Sequence, residues 1–128
     1  MKFAANLLIA PPTLSLLAGP AAFESHDELQ SHLERYETNR SIMLDGLRSA
    51  GLTKLAPADG AFYVYADVSD VASSGTELAQ QWLDQLGVAA TPGTDFDPFN
   101  GDRFVRFSFC GGTESIERGV ELLNTWRW

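Results

Sequence analysis

Arg106 is the residue whose surroundings ask most of its chemistry. It lies in Phe104-Val105-Arg106-Phe107-Ser108-Phe109, where strand alternation puts Val105, Phe107 and Phe109 on one face and Phe104, Arg106 and Ser108 on the other. A guanidinium among aromatics needs a partner, because a charge withdrawn from water is costly unless it is paired. Its five donors form a planar fork that matches a carboxylate with two parallel hydrogen bonds. Two partners meet that demand: one of the chain's own carboxylates at a sheet edge, or a carboxylate from outside. Arg103 falls in a loop three residues earlier and reads as solvated. Phe62 and Tyr63 could line a pocket, or belong to the core as strand aromatics commonly do.

Other chemistries find little support. The chain has no G-x-S-x-G elbow, no phosphate-binding or dinucleotide-binding glycine loop, and no histidine near Cys110 in sequence. Its two lysines, Lys2 and Lys54, sit at the terminus and in a turn, so neither reads as a desolvated Schiff-base lysine. His26 and His32 are six residues apart, on different sides of a helix, with no third histidine to complete a metal site. No catalytic or metal-ligating residue is therefore expected in this chain. The single cysteine, Cys110, excludes an internal disulfide and fits a reducing compartment, the cytoplasm.

The elements that must position Arg106 are legible from periodicity. Ser25-His26-Asp27-Glu28 forms a capping box, and Leu29, Leu33, Tyr36, Met43 and Leu47 follow as one apolar stripe at 3.6 residues per turn. That spacing predicts a helix from about His26 to about Ala50, stopped by Gly51. Leu55 to Pro57 is a possible short strand, and Asp59-Gly60 a turn before a strand over residues 61–67, apolar on both faces and so placed inside a sheet. Ser74-Gly75-Thr76-Glu77 opens a second helix near residues 76–86, ended by Gly87. Val88-Ala89-Ala90 is a strand candidate, and Thr91 to Gly101 reads as a loop because it has no period and several breakers. After the Arg106 strand, Gly111-Gly112 leads to a last helix capped at Thr113, with Ile116, Val120, Leu123 and Trp126 inward. The resulting order, α-β-β-α-β-β-α, predicts an α+β fold: two layers, with helices packed on a small, mainly antiparallel sheet.

Composition bounds the partners. With 128 residues, 45% of them hydrophobic and 20% charged, the chain has the make-up of one globular core. Nine basic against 17 acidic residues give a net charge of −8, and neither half holds a basic stripe, so nucleic-acid binding is not expected. Residues 1–25 imitate a secretory signal through Lys2, Leu7-Leu8-Ile9-Ala10 and the small residues after it, but Asn6 and Pro11-Pro12 interrupt the apolar run. It is too broken to span a bilayer, and no membrane partner is expected. The same residues read equally as two short helices, Lys2 to Ile9 and Thr13 to Phe23, that need something to pack against.

Taken in order, five segments carry a resemblance. They are Ala10-Pro11-Pro12-Thr13-Leu14-Ser15, Arg35-Tyr36-Glu37-Thr38-Asn39-Arg40, Pro57-Ala58-Asp59-Gly60-Ala61-Phe62-Tyr63-Val64, Gly87-Val88-Ala89-Ala90-Thr91-Pro92-Gly93, and Phe104 to Phe109. Together they resemble the C-terminal part of a class I/II pyridoxal-phosphate-dependent aminotransferase of fold type I. The resemblance implies that residues 1–25 are a helical segment leaving an absent large domain and that residues 26–128 form the small C-terminal domain. It implies that Arg106 binds the substrate α-carboxylate, that Phe62 lies near the substrate pocket, and that Thr91-Pro92-Gly93 lies at the mouth of the site.

By the same resemblance, the cofactor is pyridoxal 5'-phosphate, the substrates are an amino acid and a 2-oxo acid, and the intact enzyme is a homodimer. The lysine and the other cofactor-binding groups of that family would all precede Met1, so this chain alone is expected to be inactive and unable to bind the cofactor. Leu16, where many relatives carry Gln, and Gly19-Pro20, which interrupts a helix that is usually continuous, depart from the family pattern. Two other readings stay open. The first is a stand-alone acidic α+β module that binds a carboxylate or regulates without catalysis. The second is a lyase or synthase on the same fold.

Overall fold

The computed structural model describes residues 26–58 and 61–128. Helix α1 runs His26–Ser49, strand β1 Tyr63–Asp67, helix α2 Gly75–Leu86, strand β2 Thr91–Pro92, strand β3 Phe104–Ser108 and helix α3 Thr113–Leu123. Two 3-10 turns, Gly93–Asp95 and Gly101–Arg103, lie between β2 and β3. The sheet has the order β1-β3-β2 with both pairings antiparallel, so β3, the Arg106 strand, is central. The architecture is the α+β one expected.

Direct cross-strand partners share a face of a sheet. Val64 stands opposite Phe107 and Ala66 opposite Val105, and all four have no exposed surface. On them pack Met43 and Leu47 of α1, Trp82 of α2 and Ile116 of α3, each also fully buried. The opposite face pairs Tyr63 with Ser108, Tyr65 with Arg106 and Asp67 with Phe104 across β1 and β3, and Thr91 with Arg106 across β2 and β3. The free edge of β1 is partly closed by a bridge between Leu55 and Ala66, with Ala56 N donating to Tyr65 O at 2.9 Å and Asp67 N to Lys54 O at 2.9 Å. Thus the expected strand at Leu55 exists as a single bridge, and β1 begins at Tyr63 rather than at Ala61.

Helix α2 starts and stops as its local sequence requires. Ser74 Oγ accepts from Glu77 N at 3.2 Å, and Gly87, at φ 70°, turns the chain while its N–H reaches Leu83 O at 3.1 Å. Gly51 ends α1 with φ 101°. Ser25 and the Asp59-Gly60 turn lie outside the described residues.

Three local expectations are corrected. Thr113 does not cap α3: Gly112 is the N-cap, and the Thr113 hydroxyl donates instead to Asn39 Oδ1 at 2.7 Å. The strand expected at residues 88–90 lies at Thr91–Pro92, because its place is set by pairing with β3 rather than by its own propensity. The stretch 91–101 is accordingly not structureless but holds that strand and both 3-10 turns. Along α1 the apolar stripe is buried at Tyr36, Met43 and Leu47, while Leu33 is 51% exposed.

Candidate functional site

Arg106 stands at the middle of the open face, on the central strand, with Tyr65 beside it on β1 and Thr91 beside it on β2. Among the described residues it has no carboxylate within ion-pair reach, whereas Arg103, Arg48, Arg118 and Lys54 each have one. Its Nε is buried without a hydrogen-bond partner. Rings surround it instead: its guanidinium carbon lies 4.6 Å from the centroid of Tyr63 and 4.2 Å from that of Phe96. Of the two partners open to it on sequence, a carboxylate of this chain is therefore absent among the described residues. A half-buried cation with an unused planar fork can take a carboxylate from outside.

The surroundings are built to hold these rings. Tyr65 stacks on Phe104 at 4.9 Å and 10°, which extends the aromatic surface along the open face. Burial, and then the nearby Asp97, push the Tyr65 phenol above its ordinary pKa against the opposing pull of Arg106, so it is a neutral hydrogen-bonding group at physiological pH. Phe96 reaches Arg106 from the segment between the two 3-10 turns. In that segment Phe96 N and Asp97 N both donate to Gly93 O, at 3.0 and 2.9 Å, and Asp97 Oδ1 accepts from Phe99 N and Asn100 N. Gly93 and Gly101 pass so closely that a Cβ on either would collide with the backbone of the other. Residues 93–101 thus form a closed clasp.

The clasp is anchored to α2. Asp102 accepts from Ser74 Oγ at 2.9 Å and from Thr76 N at 2.9 Å, at the start of that helix. Hydrogen bonds from the Thr76 hydroxyl and amide, and then from Ser74, hold its carboxyl below the usual carboxylate range. Arg103, expected to be solvated, is exposed but also paired, with Nε at 3.0 Å and Nη2 at 2.7 Å from Asp67 Oδ2. That pairing holds the Asp67 carboxyl well below the usual range, with Ser69 adding to it and desolvation opposing it.

Phe62 lies elsewhere. Its ring meets Tyr36 edge-on at 5.6 Å, in a shallow groove of about 320 Å³ that Leu33, Arg40 and Phe109 also line. Strand parity separates it from its neighbour Tyr63, and it is Tyr63 that reaches Arg106. Nothing in the sequence singled out Phe96, since it sits in an aperiodic stretch; the glycines on either side were the available signal. Asn39 was also missed. Wholly buried on α1, it donates to Phe109 O at 3.0 Å and to Gly111 O at 2.9 Å, tying α1 to the end of the Arg106 strand. A polar residue on an otherwise apolar stripe was its signal.

The described residues do not fit the covalent site of a Schiff-base cofactor. Lys54 is exposed and bonded to Asp70 at 2.8 Å, and Lys2 lies outside the described residues. No group of three His, Cys, Asp or Glu among the described residues could hold a metal ion, and no described helix is long and apolar enough to cross a membrane.

Comparison with known proteins gives the family. The family model described as aminotransferase class I and II matches residues 2–123. A valine–pyruvate aminotransferase of Mycobacterium tuberculosis is 46% identical over 123 residues, covering 94% of this chain and 32% of that protein. A (5-formylfuran-3-yl)methyl phosphate transaminase of Methanocaldococcus jannaschii is 31% identical over 125 residues, 96% of this chain and 32% of that protein. The crystal structure of an aminotransferase from Mycobacterium tuberculosis superposes with a TM-score of 0.79 at 47% identity, covering 91% of this chain and 30% of that one. The chain spans about a third of the length of these relatives. A central-strand arginine with a free fork, on a small antiparallel sheet backed by three helices, is thus found in a chain that belongs to the class I and II aminotransferases.

Proposed function

We propose that this chain is the carboxylate-binding portion of a pyridoxal-phosphate-dependent aminotransferase, and that Arg106 binds the α-carboxylate of the amino acid and of the 2-oxo acid. The observation that carries the reading is the unused fork of Arg106 between two aromatic rings, with no acidic partner among the described residues. Bound by two parallel hydrogen bonds, the carboxylate is fixed in direction as well as in place. That fixes the substrate's Cα relative to the sheet, so that a bound group elsewhere in the enzyme meets it in one orientation. The Tyr65 phenol and Thr91 flank the same point and keep the site polar on either side of the cation.

Pyridoxal phosphate would supply the electron sink for the transfer, and its lysine is assigned to a part of the enzyme beyond the described residues. On this reading the 128-residue chain does not transaminate by itself, and the working enzyme is a cytoplasmic homodimer. Residues 26–128 are read as its small domain and residues 1–25 as the segment that leaves the large one. Phe62, in its groove against α1, is read as lining the approach for the substrate side chain. The 46% identical valine–pyruvate aminotransferase supports a small apolar amino acid as donor and a 2-oxo acid such as pyruvate as acceptor.

Arg106→Ala in the cofactor-loaded enzyme tests the assignment. KM for L-valine should rise at least about thirtyfold, as loss of one partner of a desolvated pair requires. An unchanged KM would remove Arg106 from the site.

A further inference from the structure

We infer that Phe96 and Tyr63 are positioning residues that aim the Arg106 guanidinium, and that the Gly93–Gly101 clasp exists to hold Phe96 in that role. The inference rests on the reading of Arg106 as the carboxylate anchor and extends it to what orients the anchor. Among the described residues the long Arg106 side chain has no ion pair and its Nε no partner, so no hydrogen bond from them chooses its direction. An acidic partner could choose it, but would consume the donors the substrate needs.

Rings solve that conflict. An aromatic face attracts the guanidinium plane while leaving its in-plane N–H groups free. The two rings come from opposite sides of the central strand: Tyr63 from β1, and Phe96 from the segment that follows β2. Arg103 shows the alternative on the same strand's border, where Nε and Nη2 are both spent on Asp67.

The clasp has no need of the Phe96 ring for its own fold. Its turns are closed by main-chain bonds, with Phe96 N and Asp97 N on Gly93 O and Gly101 N on Asp97 O at 2.9 Å. Asp97 Oδ1 satisfies two further amides. Thr94 Oγ1 also meets Thr76 Oγ1 of α2 at 3.3 Å. Phe96 itself is 51% exposed. Its ring faces the Arg106 guanidinium, and two closely apposed glycines close the segment that carries it.

The test is a double-mutant cycle in the cofactor-loaded enzyme, with L-valine and pyruvate as the probe pair. Phe96→Leu should raise KM for L-valine roughly three- to tenfold, the range of a partly exposed cation–aromatic contact, with kcat within about twofold. Phe96→Tyr should restore KM, because the ring returns. In an Arg106→Ala background, Phe96→Leu should add nothing, because the group it aims is gone.

An unchanged KM in Phe96→Leu, or the same added loss with and without Arg106, would overturn the positioning role while leaving the anchor intact. An unchanged KM in Arg106→Ala alone would overturn the anchor, and the inference with it.

Discussion

Two arginines at the two ends of one stretch of chain show how context decides what a guanidinium is for. Arg103, at the border of β3, spends Nε and Nη2 on Asp67 and is more than half exposed. Arg106, three residues on at the middle of β3, is half-buried, has rings about it and no acid among the described residues. The first holds the 3-10 turn before β3 to the end of β1, and its bonds are internal. The second keeps its donors free of any acid among the described residues, and on the proposed reading the substrate carboxylate takes them.

The comparison can be broken most forcefully from the face of β3 that neither arginine occupies. Phe107→Ala removes a wholly buried ring in contact with Trp82 and should cost about 3–5 kcal/mol of stability by denaturant titration. Arg106→Ala should do the reverse, with nearly unchanged stability and a loss of about 2–5 kcal/mol in substrate binding. If instead Arg106→Ala unfolds the protein, its role is internal and the contrast with Arg103 fails.

Gly93→Ala sharpens the contrast, since the added methyl would strike the Gly101 carbonyl and come within 2.6 Å of the Tyr65 hydroxyl. The clasp must open, so KM for L-valine should rise by about as much as in Phe96→Leu, with total helix content unchanged by far-UV circular dichroism. The smallest effect belongs to the Arg103 pair. Because the Asp67 carboxyl titrates lower in the folded chain than in the unfolded one, its contribution is complete above the ordinary carboxylate range and is lost as pH falls through the folded value. Asp67→Asn should therefore flatten the acid limb of the stability curve slightly, and high salt should shrink the difference.

Legibility in the sequence followed locality. Helix α2 could be read almost to the residue because Ser74, Glu77 and Gly87 each act within one turn of themselves. The face of Arg106 was readable because alternation is a property of the strand alone, and the order of segments carried the family. What escaped depends on distant partners. Strand β2 is two residues long and exists only because Thr91 and Pro92 meet β3. Phe96 reaches Arg106 only because Gly93 and Gly101, eight residues apart, touch. Asn39 is polar for the sake of carbonyls at Phe109 and Gly111, seventy residues on.

Whether Arg106 recognises a carboxylate is read most directly from discrimination between L-valine and L-valinamide by the cofactor-loaded enzyme, with and without Arg106. The enzyme should strongly prefer the acid, and Arg106→Ala should erase most of that preference by weakening the acid alone. A preference for the acid that survives Arg106→Ala undiminished would contradict it.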